Sequence, residues 1–199
     1  MDKPVIGVLG GIGAGKSFVA GLMAARGGFL IAADPLAHEA LRQPAIRDQV
    51  VALFGADCLG PDGEVVRQKL AGPVFADAGL RHKLEALVFP WVGARVAGSI
   101  EQAMADSAVR FVVLDAPVML EAGLNNVADR LVYVDAPRTA QLARLAVRGW
   151  TAEQLAAREQ AQMSPDEKAR RADAIIDNGG PVEQTARQVD DLLARWNLI

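Results

Sequence analysis

Residues 10–17 read GGIGAGKS, and this octet constrains the chain more than any other stretch. It fits G-x-x-x-x-G-K-S/T through Gly10, Gly15, Lys16 and Ser17, and it stands between an apolar run, PVIGVLG, and a helix-forming run, FVAGLMAAR. Glycines let such a loop wrap until successive backbone N–H groups point inward, and the helix that follows adds the partial positive charge of its N-terminus. The lysine reaches β and γ phosphates, and the hydroxyl beside it ligates Mg²⁺. Gly11, Ile12, Gly13, Ala14, Gly15, Lys16, Ser17 and Phe18 are therefore the expected cradle of a nucleoside triphosphate. A glycine-rich turn without a ligand would leave Lys16 unexplained.

Five apolar runs read as strands, at 4–10, 28–34, 110–117, 130–137 and 174–180. They are nearly continuous in Val, Ile and Leu, the pattern of strands buried on both faces, and helical patterns separate most of them. The expectation is an α/β, three-layer P-loop fold with a five-stranded parallel sheet flanked by helices. Residues 1–33, 108–140 and 172–199 would form its nucleotide-binding core. Between Asp34 and Ser107 only helical pieces appear, such as LRHKLEALVF and WVGARVAGSIEQAMA, so 34–107 reads as a helical insertion. Residues 141–171 are rich in charge and Gln and carry two helix-start signals, Thr151 with Gln154 and Ser164 with Pro165 and Glu167. A mobile helical lid is expected there. Val182, Val189, Leu192, Leu193 and Trp196 recur at helical spacing and should pack a last helix on the core.

Composition removes several classes of partner. The 199 residues carry a net charge of -3, which offers no general field to nucleic acid, so an anionic ligand must be caught locally. Cys58 is the single cysteine, which excludes an internal disulfide and reads as a small buried apolar residue of a reducing compartment. The run after Lys3 is broken by glycines and holds Lys16, unlike a signal peptide. No apolar stretch approaches the roughly 18–20 residues of a membrane helix. A cytoplasmic protein, favoured as a monomer, follows.

Asp115 closes the run FVVLDAP, where a carboxylate holds Mg²⁺ in phosphate-loop enzymes; a strand-end turn before Pro117 is the plainer alternative. None of Lys3, Lys16, Lys69, Lys83 and Lys168 has Asp two residues on, so the guanine-reading N/T-K-x-D of a GTP switch is missing. Asp34 stands at the end of the second apolar run, where a kinase would keep its general base, and Asp34-Pro35 would also cap a helix. Gln141, Arg144 and Arg148 share one face of a helix, and Arg158 and Gln162 pair on the next. They read either as cations that a lid brings to ATP or as a solvated basic face.

The order of these motifs resembles dephospho-CoA kinases over almost the whole chain. GGIGAGKS is similar to the family's phosphate loop, IAADPLAHE to its I-D-A-D stretch, and FGADCLGPDGEVVRQKLAGPVF to its F-G…R-x-x-L…V-F pattern. LDAPVMLEAGL resembles its P-L-L-F-E-x-G-L, and residues 139–180 resemble its lid followed by A-D-x-I-I-x-N-x-G. The resemblance implies ATP-dependent phosphorylation of the ribose 3′-hydroxyl of dephospho-CoA, the last step of coenzyme A synthesis. It makes 34–107 the substrate subdomain, Asp34 the base, Lys16 and Ser17 the γ-phosphate and Mg²⁺ residues, Arg144 and Arg148 the lid cations, and Asn178 a border of the adenine. Arg67, Glu121 and Arg158 match family positions without a role of their own. Ala32, His38, Phe89 and Trp150 depart from the pattern. A phosphate-loop kinase for another nucleoside or small alcohol, and a nucleotide-binding regulator, are the competing readings.

Overall fold

A computed structural model describes residues 3–199. Strands β1 (Val5–Gly10), β2 (Gly28–Ala32), β3 (Phe111–Asp115), β4 (Arg130–Asp135) and β5 (Ala174–Asp177) form one all-parallel sheet in the order β2-β3-β1-β4-β5. Ile6, Val8, Phe111, Val113, Val132 and Val134 are fully buried. Each such side chain contributes about 1.5–3 kcal/mol on leaving water, which is why these runs lack polar alternation. The chain leaves β1 for β2 on one side of the sheet and leaves β4 for β5 on the other. The crevice at the carboxyl end of β1 is thus the switch point where open α/β sheets bind ligands.

Two compact units divide the chain: residues 1–32 with 97–199, and residues 33–96. In the first, helices α1 (Lys16–Ala24) and α9 (Val182–Arg195) cover the sheet, with Val19, Ala20, Met23, Val189, Leu192 and Leu193 in one core cluster. Trp196 packs at its edge, whereas Val182 is 56% exposed, because α9 begins there and its first turn precedes the apolar stripe. The second unit holds α2 (Ala33–Arg42), α3 (Pro44–Phe54), α4 (Arg67–Ala76) and most of α5 (Ala78–Ala105). The isolated bridge Leu59–Val65 is its one β pairing among the described residues.

Three expectations change. The second strand stops at Ala32, and α2 starts at once at Ala33, so Asp34 lies in the first helical turn rather than ending a strand or occupying the cap. A proline one residue later is tolerated there because first-turn N–H groups have no helical acceptor. The two helical pieces on either side of Pro90 are one 28-residue helix, α5, which forgoes one hydrogen bond at the proline and continues. Helices α6 (Arg138–Val147), α7 (Ala152–Gln160) and α8 (Pro165–Arg170) fill 138–170, and α7 stops short of Gln162, so Arg158 and Gln162 do not pair along one helix. Both start signals work as read. Gln154 N–H donates to Thr151 Oγ1 at 3.2 Å while Thr151 N–H donates to Gln154 Oε1 at 3.1 Å, and Glu167 N–H donates to Ser164 Oγ at 3.2 Å.

Candidate functional site

The loop between β1 and α1 owes its shape to glycine. Gly13 (φ 77°) and Gly15 (φ 95°) occupy the left-handed region, which costs other residues about 1–2 kcal/mol each. Gly15 also lacks room: a Cβ there would run into the Asn178 amide. Lys16 opens α1 and turns back over the loop, its Nζ donating to Gly10 O at 3.1 Å and Gly11 O at 2.9 Å. Ser17 and Phe18 are exposed in the first helical turn. Phe18 N–H already turns back to Gly15 O at 3.1 Å; the N–H groups at a helix start have no earlier helical carbonyl to take them, the arrangement that attracts an anion.

Two residues distant in sequence hold this loop. Arg144 of α6 donates through Nη1 to Gly13 O at 3.2 Å and Ala14 O at 2.9 Å, and through Nη2 to Asn178 O at 2.7 Å. Asn178, just past β5 and 4% exposed, donates from Nδ2 to Ala14 O at 2.7 Å and accepts from Thr185 Oγ1 at 3.1 Å. The arginine thus clamps the loop to the β5–α9 connection. Gln141 lies one turn earlier, its amide beside Gly11 and its Nε2 donating to Ala136 O at 2.8 Å.

Arg148 does not join them. Helix α6 ends at Val147, so Arg148 is an exposed C-cap, and its guanidinium makes no hydrogen bond or ion pair among the described residues. Arg158 of α7 lies over the Trp150 ring, its Cζ 3.8 Å from the centroid, a cation–π contact that accounts for the unexpected tryptophan. Asp115 ends β3 in register with Val8 of β1, two residues before Gly10, and is 7% exposed. Among the described residues no three metal-ligating side chains cluster. One buried carboxylate and one exposed hydroxyl still suit Mg²⁺, which keeps several waters and takes much of its shell from phosphates.

Sequence reasoning missed two residues that face the loop. A cavity of about 170 Å³ is lined by Gly11, Ile12, Arg138, Gln141, Gln162 and Lys168, among others. Arg138 pairs with Glu159, which raises its pKa further. Lys168 is 3% exposed and pairs with Glu121 at 3.2 Å. In SPDEKARR it stands among charged residues, and nothing local in the sequence marks it as buried.

In the helical unit, Asp34 and His38 are one turn apart on α2, and Arg67, the first residue of α4, reaches the His38 ring. Guanidinium has no acceptor, so His38 Nε2 accepts and the proton sits on Nδ1. Burial, then the charge of Arg67, lowers the His38 pKa; Asp34 pulls it up and Arg42 down. All three side chains are exposed.

Comparison with known proteins agrees with this geometry. The model of the dephospho-CoA kinase family matches residues 4–184. A dephospho-CoA kinase of Methylococcus capsulatus is 39% identical, with 98% of both chains covered. One from Symbiobacterium thermophilum is 42% identical over 96% of this chain and 80% of its own length. The crystal structure of TT1252 from Thermus thermophilus superposes with a TM-score of 0.81 at 31% identity, covering 98% of each chain.

Proposed function

The chain belongs to the dephospho-CoA kinase family, and from that premise we propose how its own residues phosphorylate dephospho-CoA with ATP. The observation that carries the reading is the phosphate loop clamped by Arg144 and Asn178, a rigid anion cradle at the switch point of the sheet. Lys16 exchanges the carbonyls of Gly10 and Gly11 for β and γ phosphate oxygens, and other backbone N–H groups of the loop hold the rest of the chain of phosphates, those of Ala14 and Phe18 being already given to Gly11 O and Gly15 O. Arg144, fixed on the rim, keeps its charge beside the nucleotide, and Asn178 borders the adenine. Arg148 is free to swing toward the transferring group, which its exposure and lack of partners support.

Ser17 and Asp115 would hold Mg²⁺, which supplies charge neutralisation of the phosphates when bound. The near-complete burial of Asp115 beside β1 supports that assignment. Asp34 orients the acceptor's ribose 3′-hydroxyl and takes its proton late, as the new P–O bond forms; a sugar hydroxyl is too weak an acid to lose it earlier. Arg67 and neutral His38 beside it offer a donor pair suited to an anionic acceptor.

Incubation with Mg-ATP and dephospho-CoA, followed by mass spectrometry and phosphorus NMR, tests this reading. The expected product is heavier by one phosphate, carried as a monoester on the ribose 3′ oxygen. Phosphate at another position, or no product, would overturn it.

A further inference from the structure

Lys168 is the most deeply buried charge of the helices that follow β4, and its partners all lie in two short segments. Its Nζ donates to Pro117 O at 3.3 Å and Gln162 Oε1 at 3.1 Å, and sits 3.2 Å from Glu121 Oε1. The same Glu121 oxygen accepts from Met163 N–H at 2.9 Å. Glu121 Oε2 is buried with no hydrogen bond among the described residues. One side of this knot is therefore the segment that leaves β3 immediately after Asp115. The other is the turn between α7 and α8, which with Lys168 walls the cavity over Gly11 and Ile12.

A buried ion pair is a poor way to gain stability, because desolvation of both charges offsets their attraction, and apolar replacements of similar size are often as stable. A buried carboxylate oxygen left without a partner makes this pair costlier still. What such a pair does supply is register: charges that must meet fix where their two segments sit. From the geometry we infer that Glu121 and Lys168 are a positioning pair for phosphoryl transfer. They pin the α7–α8 turn, with its Gln162 amide, to the segment behind Asp115, and so set the distance between the polar wall of the cavity and the phosphate loop. This gives Glu121 the role its sequence position lacked. It rests on the phosphoryl-transfer reading above, and neither residue is assigned contact with the reacting atoms.

The test separates position from stability. Lys168→Met leaves the part-buried Glu121 without its cation, holding only the Met163 N–H, and should lower the melting temperature. The double replacement Glu121→Leu with Lys168→Met should recover most of that loss. Its kcat should nevertheless stay at least about tenfold below the unaltered protein, with KM for ATP within about threefold, since the loop and its clamp are untouched. A milder variant, Glu121→Gln, keeps the acceptor for Met163 N–H but not the charge, and should show the same split at a smaller size. A second readout needs no acceptor: trypsin cleavage at Arg148 and Arg158, which a non-hydrolysable ATP analogue should suppress in the unaltered protein and much less in the double variant. If the double variant regains kcat within about twofold together with its stability, or is protected by the analogue as fully as the unaltered protein, the positioning role is wrong. If instead the unaltered protein fails to phosphorylate dephospho-CoA, the function reading falls, and the cleavage experiment still decides the role of the pair.

Discussion

Replacing Arg144 by Met, a side chain of similar reach without charge, should damage the protein twice. The guanidinium makes three hydrogen bonds to the carbonyls of Gly13, Ala14 and Asn178. Bonds from a charged donor are worth about 1.5–3 kcal/mol each when fully buried. Arg144 is only half-buried, and carbonyls on the loop rim regain water when it leaves, so the net loss should be about 2–4 kcal/mol. For a chain of this size that lowers the melting temperature by about 4–16 °C. ATP affinity should fall on the order of tenfold, because the loop must then be ordered by the nucleotide itself. Arg148→Met is the internal control: the C-cap residue just past the same helix, the same chemistry, an exposed side chain with no hydrogen bond or ion pair among the described residues, and an expected stability change within about 0.5 kcal/mol. Scanning calorimetry of both variants and titration calorimetry with an ATP analogue measure these quantities. A melting temperature for Arg144→Met within about 2 °C of the unaltered protein would refute the clamp, as would an equal loss in Arg148→Met.

Other outcomes follow from single side chains. Asp34→Asn should cut turnover by a factor on the order of 10² to 10⁴ and leave ATP affinity within a few-fold, read from initial rates and nucleotide titration; normal turnover would reduce Asp34 to a first-turn helix charge. Gly15→Ala forces a Cβ into φ 95° and against the Asn178 amide, and should cost about 1–2 kcal/mol of strain beyond the lost Asn178–Ala14 bond, with nucleotide binding weakened at least as much; calorimetry showing no change would contradict the tightness of the loop. His38 has its pKa lowered, so the folded state resists protonating it: its contribution is complete above the ordinary value of 6.5 and is lost as pH falls through that value toward the folded one. The melting temperature should therefore fall more steeply on acidification in the unaltered protein than in His38→Asn, and parallel curves would remove the Arg67–His38 contact from the account.

The parts legible in sequence are those fixed by local physics. The phosphate loop announced itself because glycine φ angles, a lysine and a helix start must follow one another within eight residues. The central strands β1 and β3 did so because burial on both faces leaves no room for alternation, whereas the edge strands β2 and β5 leave Leu30 and Ile175 exposed despite the same apolar pattern. Thr151 and Ser164 marked helix starts because a cap and its partner are three residues apart. Where the reading failed, a short-range pattern had been extended too far. Arg144 and Arg148 share a helical spacing, but α6 ends between them, and only one reaches the loop. Asp34 read as a strand end because nothing in AADP tells that the helix begins at Ala33 without a connecting turn. The Glu121–Lys168 pair spans 47 positions, and the burial that gives Lys168 its meaning comes from packing that no local pattern encodes.

The central claim is that the cradle in the parallel sheet serves transfer to dephospho-CoA. Its most direct test is coupled ADP release with Mg-ATP, with dephospho-CoA in one reaction and adenosine, AMP or pantetheine phosphate in the others. The account predicts strong stimulation by dephospho-CoA alone. ADP release that ignores dephospho-CoA while responding to another of these acceptors would contradict it.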